Sequence, residues 1–465
     1  MYRAAWPTVL ALFIAGLSAA AVAQPTPPAI SIATDPGFTD DGSPSPDPSP
    51  DDLLTGHWGG LRDRLLRSGI RLSLQDAGEV WANLQGGLRK GVVFDGLASA
   101  SINVNLDTAL HWTGASLFAS AYQIHGRGPT PNLIGSLQPV SDLEATRSTR
   151  LYNLWLEQTL LGGRLNIRVG QEGANDELMI SQFAAWFLNS SFGFPPLAAL
   201  DLPSGAPNFP LATPMVRVRF KPTEQITVIG AVFNGDPAPP GVGDPQRRDA
   251  SGSVFRMNDH TLSFLELWYG TGKPGLAGTY KIGAWYHSAH FADQRLDTAG
   301  RSLAEPLSNG IAQSHRGDHG VYAVMDQMLW QPAGSEDTGL AMFALVTSAP
   351  ADRNLIDFYL AGGLNWIGPF AGRPHDMVGV AVAYAHISRS AQQFGAEQIS
   401  LAGSGARPRR SETVVEATYD CQVTPWWTLQ PDVQYVVNPG AGLPSNHPVP
   451  LRNAWVIGLH GVFTF

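Results

Sequence analysis

The sequence predicts an all-β chain, a transmembrane antiparallel β-barrel of about 16 strands with a short N-terminal periplasmic helix. Three observations predict it. From Ile70 onward apolar residues recur with a period of two, in segments of roughly ten residues. The connections between these segments alternate between long and short. The last segment, Asn453 to Phe465, is apolar on one face only and stops on an aromatic rather than on a frayed polar tail.

The N-terminus reads as an export signal. One cation, Arg3, precedes an apolar run and the small-residue site Ala21-Val22-Ala23, so residues 1–23 are expected to be removed as a signal peptide. Residues 24–52 are rich in Pro, Ser and Asp and hold too few apolar side chains to offset the entropy of ordering; a flexible linker is expected. Residues 53–69 contain Leu61, Leu65 and Leu66 at helical spacing, with Arg62, Asp63, Arg64 and Arg67 on the other faces and Gly69 as terminator. This is one short amphipathic helix with a solvated charged face. No later run of about 18 apolar residues offers a membrane helix.

Composition narrows the classes. A net charge of −9 speaks against a nucleic-acid partner, which would need a basic footprint. The single cysteine, Cys421, has no internal disulfide partner, and an inert buried or lipid-facing thiol is expected.

Strands are expected to begin near Ile70, Ala98, Ala115, Thr149, Arg164, Met215, Gln225, Thr261, Gly278, His319, Gly339, Ile356, Met377, Glu412, Trp426 and Asn453. After the first, third, fifth, seventh, ninth, thirteenth and fifteenth, the chain runs on for many residues. After most even-numbered strands it turns back quickly, as at Leu161 to Arg164, Lys221 to Gln225 and Val423 to Trp427. The alternation is weakest after strands eleven and twelve. Long loops on one side and tight turns on the other suit an outer-membrane barrel. A soluble sandwich has no reason to sort its loops by parity.

The hairpin around Gly162-Gly163 tests the two faces. Its turn sets Glu157 opposite Arg168. Leu154, Leu156 and Leu160 then share a face with Leu165, Ile167 and Val169, while Trp155, Glu157, Thr159, Arg164, Asn166 and Arg168 share the other. The same sorting puts Glu79 on a polar face with Arg71, Ser73 and Gln75. It does so for Arg217 and Arg219 against Val216, Val218 and Phe220, and for Asp432 and Gln434 against Val433 and Tyr435. Aromatics near the ends of the apolar face, Trp455 and Phe463, suit an interfacial girdle in contact with outer-membrane lipid. A polar interior of this kind needs water, and barrels of this size leave an aqueous channel.

Seven stretches occur in the order found in the carbohydrate-selective porin family of the OprB type: HWGGLRDRLLRSGI, SAYQIHGRG, LWLEQ, RVGQ, FLNSSFGFP, AVFNGDP and QPDVQYVVNPG. The chain resembles that family over nearly its whole length after the linker, most specifically at Trp58 to Arg62 and Gln430 to Gly440. The resemblance implies a channel in the bacterial outer membrane that passes monosaccharides and related small hydrophilic solutes by diffusion. It implies no enzymatic activity, no cofactor and no energy source. The terminal Phe465 resembles the residue by which the assembly machinery recognises outer-membrane barrels. Whether the barrel works alone or as a homotrimer stays open.

A sugar offers hydroxyls on its rim and C–H surface on its faces, so a selective channel needs charged donors and acceptors beside an aromatic plate. Glu79, Trp155, Glu157, Arg168, Arg217, Arg219, Asp432 and Gln434 are the channel-lining candidates, the alternative for each charge being a ladder that braces the wall. The connection from about Glu172 to Pro214 holds Phe183, Trp186, Phe187, Phe192, Phe194 and Phe209, too many aromatics for a solvated loop. It is expected to fold into the lumen or over its mouth and narrow the path.

Two other classes compete. An exported β-rich carbohydrate-active enzyme would pair carboxylates such as Glu157 and Asp432, which nothing in the sequence brings together. A porin for phosphate or acidic solutes would want a strongly cationic lumen, and here the signs are mixed. His315 and His319 in HRGDH suggest a polar loop rather than a metal site, and GTGKPG at Gly270 to Gly275 a hairpin turn rather than a phosphate loop.

Overall fold

A computed structural model describes residues 49–271, 277–335, 338–403, 408–443 and 450–465. The signal peptide, most of the linker and most of the Gly270 to Gly275 turn lie outside the described residues.

Alternating sequence becomes sixteen antiparallel strands: β1 Ile70–Gly87, β2 Gly91–Asn105, β3 Ala115–Gly126, β4 Ser148–Leu160, β5 Leu165–Glu172, β6 Thr213–Phe220, β7 Ile226–Asn234, β8 Thr261–Thr271, β9 Gly278–Asp297, β10 Ala312–Trp330, β11 Gly339–Ser348, β12 Ile356–Ile367, β13 Met377–Ile387, β14 Ser411–Thr424, β15 Trp427–Val437 and β16 Arg452–Thr464. Each pairs with its sequence neighbours, and β1 pairs with β16, Glu79 opposite His460, to close the barrel. Closure removes both sheet edges.

The outer face is the apolar one. Val80, Val216, Leu265 and Val380 are exposed there, while their sequence neighbours point inward and are buried. Trp455 packs against Tyr435 at one end of this belt, and Phe463 stacks on Trp427 at the other. Cys421 is partly exposed, and the Arg373 guanidinium donates to its sulfur at 2.9 Å.

At the end carrying Ile70 and Phe465 the connections are short, as at 161–164, 221–225 and 425–426; at the opposite end lie 127–147, 173–212, 235–260 and 388–410. One long connection expected from sequence is absent. β2 starts at Gly91 rather than near Ala98, so the chain returns over 88–90. The turn is held from outside the hairpin, because Leu88 and Arg89 N–H both donate to Leu133 O. The HRGDH stretch is likewise strand, within β10, with a register shift between Arg316 and Asp318 instead of a loop.

The N-terminal element also differs from its helical pattern. The helix runs Leu61–Arg67 after a tight turn at Trp58–Gly60, and its buried residue is Arg62, while Leu61 is exposed. Arg62 lies over the Trp58 ring at 4.0 Å and donates to Gly56 O at 2.7 Å and to Phe465 O at 2.8 Å. Leu54 N–H donates to Thr464 O at 3.0 Å. A cation whose donors meet carbonyls at the barrel seam outweighs the weak apolar stripe of so short a helix.

Inside the barrel the two-face rule breaks for one arc of the wall. Ile229 and Phe233 on β7, Phe343 and Leu345 on β11, and Ala381 and Ala383 on β13 point inward and are apolar. They share one buried cluster with Phe183, Trp186, Phe187, Phe192 and Phe194 from connection 173–212. That connection lies within the lumen. The aromatics it brings in need an apolar wall, and this arc provides one.

Candidate functional site

Lumen-facing positions on β4, β5 and β6 carry an ionic ladder. Register places Glu157 opposite Arg168, and Arg168 opposite Arg217. Glu157 takes Arg168 at 2.8 Å and Arg217 at 3.1 Å. Arg168 also pairs with Glu172, and its guanidinium lies 3.9 Å from the centre of the Trp155 ring. Trp155 in turn stacks on Phe118 at 5.0 Å. The ladder continues into the infolded connection, where Glu177 meets Arg217 at 2.7 Å and accepts from Arg219 Nε at 2.9 Å. Burial alone would raise the Glu177 carboxyl, but Arg217 and Arg219, with Arg168 behind them, outweigh it and hold the group well below the usual carboxylate range.

Charges this enclosed are costly unless each is paired and hydrogen-bonded. Here each charge has a partner of opposite sign, so the ladder is locally balanced. Its members differ in access: Arg168 and Arg217 are buried, whereas the Arg219 side chain keeps 13 % of its surface exposed.

The remaining candidates sit on β1 and β15, either side of β16, and reach the infolded connections or one another. Glu79 on β1 accepts from Trp81 Nε1 at 2.7 Å and from Ser141 Oγ, and it lies 2.7 Å from His460 Nδ1. Gln434 on β15 donates to Val140 O at 2.8 Å and to Asp432 at 3.1 Å, and accepts from Asn189 Nδ2 at 3.0 Å. Glu79 and Gln434 thus grip both infolded connections, 127–147 and 173–212. Glu157 and Asp432, the carboxylates an enzyme would have needed together, belong to separate clusters.

Several residues of the same kind were not singled out from sequence. Glu416 accepts from Leu188 N–H at 2.6 Å and Asn189 N–H at 3.0 Å; Glu412 accepts from Gln138 N–H at 2.7 Å. Asp326 accepts from Phe183 N–H at 3.3 Å, and Glu266 from Met179 N–H at 3.2 Å. Lys281 donates to Ile180 O at 3.1 Å and lies 4.1 Å from the centre of the Trp268 ring. Arg150 donates to Pro210 O and Gln246 O, both at 3.0 Å, tying connection 173–212 to connection 235–260. Each lies at an inward position of its strand, which was the available signal. The backbone partner it serves was not readable.

Connection 173–212 therefore starts at β5, passes β8, β9 and β10, and reaches β14 and β15, bonded to the wall along its course. The result is a barrel whose interior is narrowed by its own chain, with charged side chains fixed at the narrowing.

The profile of a family described as carbohydrate-selective porin, OprB family, matches residues 94–465. The chain is similar to Porin B of Pseudomonas aeruginosa, 26% identical over 83% of this chain and 87% of that protein. It is also similar to the putative porin QuiX of Acinetobacter baylyi, 21% identical over 87% of this chain and 91% of that one. Its fold is similar to the high-pH structure of Pseudomonas putida OprB, with a TM-score of 0.79 and 25% identity over 89% of this chain and 98% of that one. A closed sixteen-stranded barrel with an infolded, charge-lined connection, matched over most of its length by this profile, is a member of the carbohydrate-selective porin (OprB) family, a sugar channel of the bacterial outer membrane.

Proposed function

We propose that monosaccharides and related small hydrophilic solutes cross by passive diffusion beside the ionic ladder, with Arg219 and Glu177 offering the first hydrogen bonds. The observation that carries this is the unequal access along the ladder: the Arg219 and Glu177 side chains keep 13 % and 10 % of their surface exposed where Glu157, Arg168 and Arg217 are enclosed. A guanidinium and a carboxylate side by side can meet sugar hydroxyls as donor and acceptor at once. Arg168, Arg217, Glu157 and Trp155 fix their positions from behind. Glu79 and Gln434, with Asp432 bonded to Gln434, set the width by holding the connections in place. Binding stays weak, because a solute held tightly would block its own exit.

The pairing of Arg168, Arg217 and Arg219 with carboxylates and of Lys281 and Arg150 with carbonyls favours neutral solutes over anions. The transport needs no catalysis, cofactor or energy source in this reading. The apolar belt meets outer-membrane lipid, residues 1–23 are removed on export, and Phe465 is the residue read by the assembly machinery. Oligomeric state is decided by mass in detergent, with a homotrimer as one answer.

The test is a planar bilayer in which glucose is titrated against single-channel current. Glucose should lower the wild-type current in a saturable way, and Arg219→Ala should need several times more glucose for the same block. Correctly folded protein without channel activity, or with identical block in the variant, would overturn the assignment.

A further inference from the structure

The outer wall of β1–β4 ends, toward the long connections, in exposed cations. On β2, Val92 and Phe94 are exposed while Asp95, the next residue, is buried on the inner side. Gly78 and Gly96 face each other in register. Each leaves its place to a ring. Phe94 Cε2 lies 3.4 Å from where a Cβ on Gly78 would stand, and His125 Nε2 lies 2.6 Å from one on Gly96. The two rings, with centroids 5.7 Å apart, make a shallow plate on the outside of the barrel.

Cations surround that plate. The register row through Gly96 and His125 runs on to Arg147, next to the Ile124–Ser148 pair, and Arg127 N–H donates to Phe94 O at 2.7 Å. Arg89 and Lys90 occupy the turn above β1 and β2, and Gln123 and Thr149 are exposed just below. Lys90, Arg127 and Arg147 are exposed and form no ion pair among the described residues. Nearby loop carboxylates are engaged: Glu144 accepts from Thr130 N–H at 2.8 Å, and Asp244 from Gln246 N–H at 2.9 Å. The outward Asp76 of β1 lies two residues nearer the Phe465 end than Gly78. In a chain of net charge −9, this concentration of unpaired cations above an apolar wall calls for an anionic counterpart in the surrounding leaflet.

We propose that this patch binds the phosphorylated headgroup of an acylated amphiphile. The phosphates sit on Arg127, Arg147 and Lys90, the plate of Phe94 and His125 lies under the headgroup, and the acyl chains lie along the flat outer strip of Gly78, Ala98, Ala100 and Ala121. Arginine offers phosphate a two-pronged donor, and the small residues leave the strip free of side chains that would hold a chain off the wall.

Native mass spectrometry of the detergent-purified full chain tests it, with diphosphorylated hexa-acyl lipid A, its dephosphorylated form and inorganic phosphate as probes. Wild type should retain the diphosphorylated lipid far better than the dephosphorylated one, with millimolar phosphate failing to displace it. The double variant Arg127→Ser, Arg147→Ser should bind it about thirtyfold more weakly, from two lost surface cations, with glucose block of current unchanged. Equal retention of the two lipids, undiminished binding by the folded double variant, displacement by free phosphate, or a homo-oligomer that covers this face would each overturn the assignment. Should the double variant not fold, the comparison of the two lipids on wild type decides.

Discussion

Glu177 meets two guanidiniums at the point where connection 173–212 leaves the ladder, and its depressed pKa sets a pH window. A carboxylate with a lowered native pKa contributes stability above its unfolded value of about 4.3, lost only as pH falls through the lower native value. The difference in glucose block between wild type and Glu177→Gln should therefore stay constant from pH 7 down to about 4. Removing the charge should weaken glucose block roughly fivefold, the worth of about 1 kcal/mol of charge-assisted hydrogen bonding. A difference that already fades between pH 7 and 5 would contradict this, and bilayer recordings across that range provide the check. The ladder was legible because the hairpin turn fixes parity: Glu157 opposite Arg168 follows from Gly162-Gly163 and is observed. The duties of Glu79 and Gln434 were not, because their partners, Ser141 and the Val140 carbonyl, sit in a connection with no periodicity.

Among the elements, connection 173–212 is seated on small residues of the wall. A Cβ on Gly379 of β13 would stand 2.7 Å from Phe187 Cζ. Gly379→Leu should lift the loop at a cost of about 1–3 kcal/mol in overpacking and raise single-channel conductance. Conductance equal to wild type in the folded variant would show that the loop does not set the width. A second anchor is pH-sensitive in the opposite direction. Asp201 accepts from Leu355 N–H at 2.6 Å and Ile356 N–H at 3.0 Å, yet burial, with Asp318 and Asp357 near, pushes its carboxyl up to about 8. A raised native pKa stabilises below the unfolded value and is lost as pH rises through 8, so protease access to this loop end should increase between pH 6 and 9 in wild type and not in Asp201→Asn. The N-terminal helix makes the third case. Arg62→Ala should remove about 2 kcal/mol at the seam and lower the temperature at which the barrel loses its compact gel mobility, with Arg62→Lys recovering only part. Sequence showed the helix, since three leucines at helical spacing suffice for that. It did not show that Arg62 would be the buried residue, because its acceptor is Phe465 O, some four hundred positions away in the chain.

At the scale of the whole molecule, the barrel was readable because its two signals are spread along the chain: a period of two over most strands and loop lengths sorted largely by parity. The filled interior was less readable. The inward faces of β7, β11 and β13 look like buried sandwich strands in sequence, and only the aromatic content of residues 173–212 indicated what would cover them. The central claim is that this infolded connection makes a wide barrel into a narrow sugar channel. Liposome swelling with a sugar size series tests it most directly, using purified protein and the Gly379→Leu variant side by side. Wild type should admit monosaccharides and exclude trisaccharides, and the variant should admit the larger sugars faster. Swelling that ignores sugar size in wild type, or no swelling with any sugar, would contradict the account.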